Sequence, residues 1–217
     1  MQYERRAKNN AFIRARGIAC YEDLPVIESS ADVKLRSLDE ISRSALASFF
    51  LIQVACDVNN GCYEESVRII RPILERLDLI SCLNAKERRL LDGTFAMQDA
   101  IDLDWEYEDL WSLFYALGFV DDIRDAGDVC DCGYIIETVN ACSSLEDFRS
   151  KCKLRGVEEI LDTLDLYYRY HWACVEHRLH PETPIADLIP SCVVERRRGL
   201  EWLISDEDDW FEISLDT

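Results

Sequence analysis

Residues 157–179 read VEEILDTLDLYYRYHWACVEHRL, an uninterrupted run without glycine or proline that ends two residues before Pro181. At 100° per residue, one side of this run collects mainly apolar and aromatic side chains: Ile160, Leu164, Tyr167, Tyr168, His171 and Val175. This spacing is typical of an amphipathic helix, and the segment is the longest helix that the sequence predicts.

Helix-capping patterns occur on the N-terminal side of this run. Ser37 followed by Glu40 and Asn84 followed by Glu87 each place a capping side chain three residues before an acid, ahead of apolar residues. Asp104 is expected to cap a further helix that continues through residue 117. These patterns indicate that helices, rather than strands, occupy most of the chain.

Few residues in the chain would break such helices. Only eight glycines and five prolines occur in 217 residues, and no convincing apolar alternation of period two is present. Pro72 is expected to kink or split a helix over residues 63–77. The predicted fold is all-α, a single-domain irregular helical bundle of about 8–10 helices. It spans residues 1–217, with possible lobes at 1–93 and 94–205 and an acidic, aromatic tail at 206–217.

Charge narrows the range of partners. Asp and Glu number 43 and Lys and Arg 24, which gives a formal net charge of −19. A field of this sign repels phosphate backbones and anionic lipid headgroups, so we expect neither nucleic acid nor a membrane surface as a partner. A basic protein or a cationic ligand fits better, although the charge is also consistent with solubility alone.

The ten cysteines are consistent with a reduced, cytoplasmic protein. Many of them occupy apolar helical positions, and the N-terminus lacks the apolar segment of a signal peptide. Two patterns bear on zinc: Cys130 with Cys132, and Cys174, His177 and His180 at intervals of three. Neither supplies four ligands, so we predict no metal site and no cofactor.

Polar side chains on apolar helical faces are the candidate functional residues. His171 lies on the apolar side of residues 157–179, and Asp165 and Arg169 form an i,i+4 pair. Arg196 falls at the edge of the apolar face of the last helix, where its guanidinium must meet a carboxylate. Glu108 is the predicted partner. A network of these groups is consistent with a purely structural role or with a pocket for a small polar ligand.

His171, Arg169, Glu108 and Arg196 are therefore the catalytic candidates, with His171 as a general base. The familiar catalytic motifs are absent, including the phosphate-binding loop and the HExxH and GxSxG patterns. The binding candidates are acidic or aromatic residues near the predicted helix surfaces and in the tail: Asp162, Asp165, Tyr168, Glu195 and Trp210.

Three segments, in order, carry a resemblance to a known family: 105–111 continuing to 118, 159–173, and 193–204. With them, the chain resembles the bacterial family called domain of unknown function 4272 over nearly its whole length. The resemblance implies a helical bacterial cytoplasmic protein and no reaction. The family's signature positions include Glu108, Arg169, His171, Glu195 and Arg196. The chain departs from it at Phe211, where Asp is expected, and at Gly199, where Ala is expected and which should slightly weaken the last helix.

The leading functional hypothesis is a non-enzymatic, acidic protein-binding module of the immunity or antitoxin type that captures a basic protein partner. The alternative is a small-ligand-binding protein or an enzyme that uses a buried cluster of His, Arg and Glu. A helical module with only a structural role is the third possibility. The sequence indicates no oligomeric state.

Overall fold

Nine α-helices and two short 3₁₀ segments make up the regular structure of the chain. The computed structural model describes residues 1–217 and contains no β-strand, which confirms the all-α prediction. The helices are α1 Gln2–Ala15, α2 Leu38–Asn59, α3 Tyr63–Arg76, α4 Ala85–Leu91, α5 Met97–Ala116, α6 Cys132–Asn140, α7 Leu145–Lys151, α8 Val157–Leu179 and α9 Pro190–Trp202. The 3₁₀ segments are Ile80–Cys82 and Trp210–Glu212.

Two of the predicted caps are complete capping boxes. The Ser37 hydroxyl accepts from the backbone N–H of Glu40, whose carboxylate accepts from the backbone N–H of Ser37. Asn84 and Glu87 make the same reciprocal pair at the start of α4. Each box satisfies two N–H groups that a helix start leaves without an intrahelical acceptor.

The predicted start of α5 is wrong by eight residues, because the predicted cap was Asp104 and the observed cap position is Ala96. The helix begins at Met97, and Asp99, rather than Asp104, closes its N-terminus by accepting from the backbone N–H of Ala96 at 3.0 Å. Asp104 lies inside α5, and its carboxylate accepts from the Cys56 thiol at 3.1 Å. An acid within a helix resembles a cap in sequence, because the choice between them depends on tertiary contacts. Pro72 lies inside α3, which continues past it as one helix.

Helix α5 lies at the centre of the bundle, with α2 packed on one side and α9 on the other. Helix α8 packs on α9, and α1 packs on α8. The apolar core is one continuous cluster that runs from Ile13 in α1 to Trp210 in the tail. Helices α2 and α5, which fall on opposite sides of the possible lobe boundary at 93/94, are among the most extensively packed pairs.

Helix α2 is the most apolar long helix. By length and composition it could cross a membrane, but 61% of its most apolar window is buried inside the protein. Its apolar residues are therefore accounted for by the core, where they contact α3, α4, α5 and α7.

Gly199 allows α9 to approach α5 closely. A Cβ at this position would lie 2.7 Å from the carbonyl oxygen of Asp109 and 3.0 Å from the Cβ of Ser112. The expectation that glycine slightly weakens the last helix stays a prediction, and the structure adds a second effect of this residue. Its missing side chain permits the backbone contact that sets the distance between these two central helices.

Candidate functional site

Arg196 and Glu108 form the predicted ion pair inside the bundle. The Arg196 Nε donates to Glu108 Oε2 at 2.7 Å, and both side chains are almost completely buried. The remaining guanidinium nitrogens donate to the carbonyl oxygens of Asp125 at 2.6 Å and Asp128 at 2.8 Å. The other Glu108 oxygen accepts from the backbone N–H of Cys130 at 2.7 Å. The pair therefore fixes the loop between α5 and α6 to the centre of the bundle.

Arg169 and Asp165, the i,i+4 pair predicted from the sequence, form a second buried ion pair on α8. Arg169 Nη2 and Nε donate to the two Asp165 oxygens at 2.7 and 2.9 Å, and neither residue is measurably exposed. Asn9 of α1 also donates to Asp165, at 2.8 Å. Helix α1 packs here and covers the pair, so this side of α8 is buried as well.

His171 lies at the edge of the buried face of α8 rather than at its centre, and it is half-buried. Its Nδ1 is 2.7 Å from Nη1 of Arg197. A guanidinium can only donate, so Nδ1 is the acceptor and the neutral imidazole carries its proton on Nε2. Burial, together with the nearby charges of Arg197, Arg178 and Arg198, lowers the pKa of His171 to about 4.

Arg197 joins His171 to the C-terminal tail. Its guanidinium donates to the carbonyl oxygens of Leu215 and Asp216, each at 3.1 Å, and pairs with Glu201 at 3.2 Å. The guanidinium carbon lies 4.9 Å from the centre of the Tyr168 ring, in cation–π geometry. The group around His171 thus anchors the tail to α8 and α9.

The four catalytic candidates are brought into three separate groups. Arg196 contacts Glu108, Arg169 contacts Asp165, and His171 contacts Arg197, with no hydrogen bond between groups. None of the four lines the main surface cavities. The single cluster of His, Arg and Glu considered from the sequence is not formed.

The binding candidates also contact residues of the same chain. Asp162 pairs with Lys8, and Glu195 pairs with Arg198 on α9, where both side chains are partly buried. Trp210 is 4% exposed, and its Nε1 donates to Glu106 at 3.0 Å. The tail therefore docks its tryptophan in the core, and a partner on the surface would not contact that side chain.

Two buried carboxyl groups near the tail, those of Glu87 and Glu106, were not among the candidate residues predicted from the sequence. Glu106 accepts from Asn84 Nδ2 at 2.9 Å, from Trp210 Nε1 at 3.0 Å and from the Ser48 hydroxyl at 3.1 Å. Burial nevertheless raises the pKa of Glu106 to about 8, and burial together with the charge of Glu106 raises the pKa of Glu87 well above its ordinary value. The raised pKa favours the protonated form of Glu106 at pH 7.

Asp109, one turn after Glu106, is fully buried and neither of its oxygens has a hydrogen-bond partner. Its nearest cation is Arg198, whose Nη1 lies 3.9 Å away. Burial raises the pKa of Asp109 well above its ordinary value, and the charge of Arg198 only partly opposes that shift. A sequence signal was available for Glu106, because Glu106, Leu110 and Leu113 recur at helical spacing and place this acid on the core face.

The proposed zinc ligands do not come together. The Sγ atoms of Cys130 and Cys132 are 3.7 Å apart, and His177 Nδ1 is 2.8 Å from the carbonyl oxygen of Thr183. No three His, Cys, Asp or Glu side chains lie in an arrangement that could hold a metal ion. All ten cysteines are free thiols.

A half-open cavity of about 390 Å³ lies between the start of α2, the start of α4 and the tail. Its walls carry both charge signs, from Arg36, Arg43 and Arg88 and from Asp39, Glu40, Asp208 and Asp209. Arg36 donates to the carbonyl oxygen of Trp202 at 2.8 Å, and Arg43 pairs with Asp78 at 3.0 Å. The exposed Arg88 makes one hydrogen bond, to the carbonyl oxygen of Ser81 at 3.2 Å.

Comparison with known proteins gives one match. The family model described as Domain of unknown function (DUF4272) matches residues 5–213 of the chain. No curated protein and no solved structure matches it. Because the family match spans nearly the whole of the 217 residues, the chain belongs to the family of the Domain of unknown function (DUF4272).

Proposed function

We propose that this protein is a non-enzymatic binding module of the immunity or antitoxin type, which captures a basic protein partner in the cytoplasm of a bacterium. The observation that carries the proposal is the distribution of charge around the net value of −19. Neither nucleic acid nor a membrane surface is its partner under this proposal, because both present negative charge.

Most lysines and arginines form an ion pair with a carboxylate of the same chain, either inside the bundle or at its surface. Many exposed carboxylates have no such partner, among them Glu64, Glu75, Asp121, Asp128 and Glu137. The excess negative charge therefore remains at the surface. Such a field increases the rate of encounter with a positively charged protein and disfavours acidic ones.

The geometry of the polar groups supports a binding role over an enzymatic one. A general base needs a pKa near the working pH and a free acceptor nitrogen, whereas His171 has a pKa of about 4 and its Nδ1 already faces Arg197. Glu108 and Arg196 have their hydrogen-bonding atoms occupied by each other and by backbone groups. These residues have the contacts of structural anchors.

Affinity capture from the host at low and at physiological salt, followed by kinetics with the recovered partner, tests the proposal. We expect a partner with a net positive charge and an association rate that falls steeply with ionic strength. A variant with Glu64, Glu75 and Glu137 changed to Gln should associate more slowly and dissociate at a similar rate. Capture of only acidic proteins, or a rate that does not depend on salt, would contradict the proposal.

The small-ligand alternative is favoured by one observation, the cavity of about 390 Å³ whose wall includes Arg88. Its volume falls in the range of small-molecule sites. Thermal denaturation with a panel of phosphate- and carboxylate-bearing metabolites would distinguish the two functions. A ligand that raises the melting temperature of the wild type, but not of Arg88→Ala, would favour the alternative.

A further inference from the structure

Helix α5 presents an apolar stripe to solvent along its N-terminal half. Met97, Ile101 and Trp105 follow one another at intervals of four and are 57%, 43% and 40% exposed. Four-residue spacing places the three side chains on one side of the helix, over about 12 Å of its length. Large apolar side chains that are exposed together on one helix face mark a surface that another molecule covers. We call this set the α5 stripe.

A small cleft of about 140 Å³ lies at the Trp105 end of the stripe, with Phe211 on its wall. The ammonium group of Lys86 lies 3.6 Å from the centre of the Phe211 ring, and the guanidinium carbon of Arg198 lies 5.1 Å from the same centre. Both cations are paired, Lys86 with Asp102 and Arg198 with Glu195. Two aromatic rings and two ion pairs line the cleft, which is therefore locally neutral and offers ring faces to an apolar side chain of a partner.

The opposite edge of the stripe is negative. Asp104 is exposed and accepts only from the Cys56 thiol, at 3.1 Å. Asp57 follows Cys56 directly in α2, and its charge adds to burial and Asp104 in raising the pKa of the Cys56 thiol. Neither carboxylate has a lysine or arginine partner in the chain, so this edge is complementary to a positive charge.

We infer that the α5 stripe is the docking surface for a basic amphipathic helix of the partner. This inference rests on the proposed function and names the surface that performs it. An apolar residue of that helix enters the cleft between Trp105 and Phe211, and a lysine or arginine lies beside Asp104 and Asp57. Tryptophan is one of the residue types enriched among the side chains that dominate binding energy at interfaces.

A second copy of this chain is a poorer occupant of the stripe. Two copies would bring together surfaces that each belong to a chain of net charge −19, with Asp104 of one facing the carboxylates of the other. Like charges opposed across an interface disfavour association. A cationic helix would instead place positive charge beside these carboxylates and so favour association.

The test uses a labelled synthetic amphipathic helix of leucine and lysine as the probe, with binding followed by fluorescence anisotropy. Ile101→Glu places a carboxylate in the stripe, and Ile69→Glu makes the same change at an exposed isoleucine of α3, which is the matched control. Both variants have the same net charge. We expect Ile101→Glu to weaken binding by about tenfold or more and Ile69→Glu by less than about twofold. Equal effects of the two changes would overturn the inference.

The same two variants, assayed with the partner captured from the host, separate this inference from the proposed function. If the captured basic partner binds Ile101→Glu as well as the wild type, the α5 stripe is not its surface, while the proposed function stands. If no basic partner exists, the proposed function fails and the inference fails with it. Sedimentation that reveals a wild-type dimer, lost in Ile101→Glu, would instead identify a second copy as the occupant.

Discussion

Replacement of Arg196 by Met keeps the volume of the side chain and removes its charge and all its donors. Glu108 would retain one hydrogen bond, from the backbone N–H of Cys130, and would lose its ion pair. The carbonyl oxygens of Asp125 and Asp128 would lose the donors that now hold the loop between α5 and α6. The variant therefore leaves a carboxylate and two carbonyl groups in the interior without their partners.

Removal of one member of a buried ion pair typically costs roughly 3–5 kcal/mol, because the remaining charge stays desolvated. The Arg196–Glu108 pair is in this class, since both side chains are only 3% exposed. In a domain of this size, each kcal/mol lowers the melting temperature by about 2–4 °C, so we expect a decrease of about 6–20 °C. That loss is a large share of the total of about 5–15 kcal/mol that such domains possess.

Urea unfolding followed by circular dichroism measures the effect, with Arg68→Met as the matched control. Arg68 pairs with Glu65 at 3.3 Å, but these side chains are 75% and 66% exposed, so we expect a loss below about 1 kcal/mol. The double change of Arg196→Met with Glu108→Leu should recover part of the stability, because no buried charge remains. The reasoning is refuted if Arg196→Met and Arg68→Met lower the free energy of unfolding by the same amount.

Three further predictions concern other parts of the core. The raised pKa of Glu106 means that the folded protein binds more protons than the unfolded chain between about pH 4.5 and 8. The contribution of Glu106 to the free energy of unfolding should therefore fall as the pH rises through this window. In unfolding measured from pH 5 to 9, Glu106→Gln should flatten that slope. Gly199→Ala should destabilise the protein by about 1–3 kcal/mol in thermal unfolding, since the added Cβ meets backbone, whereas Gly156→Ala, whose nearest contact is 3.8 Å, should change stability by less than about 1 kcal/mol. The hydrogen bond from the Cys130 thiol lowers the pKa of Cys132, whereas burial raises the pKa of Cys174 to about 12. In iodoacetamide labelling at pH 8, read by mass spectrometry, Cys132 should therefore react before Cys174. The reverse order would contradict this assignment.

The helical architecture was accessible from the sequence because its determinants are local. The Ser37 and Asn84 caps, and the uninterrupted run at 157–179, each act within a few residues of the chain. The start of α5 was not accessible in the same way. Asp99 and Asp104 are equivalent as sequence signals, and only the position of Cys56 on a neighbouring helix separates a cap from a surface carboxylate.

The Arg196–Glu108 pair was predictable because a guanidinium on an apolar face requires a carboxylate, and few acids lie on apolar faces. The partner of His171 was not predictable, because Arg197 reaches it from a different helix and also binds the tail. The role of Gly199 was hidden for the same reason. A helical propensity describes one helix alone, while the missing Cβ matters only where α5 and α9 meet.

Arg196 recognises the loop between α5 and α6 through main-chain oxygens, not through side chains. The exposed side chain at position 128 can therefore be exchanged while the path of the backbone is retained. The charge presented at this point of the surface is thus independent of the contacts that hold the loop in place.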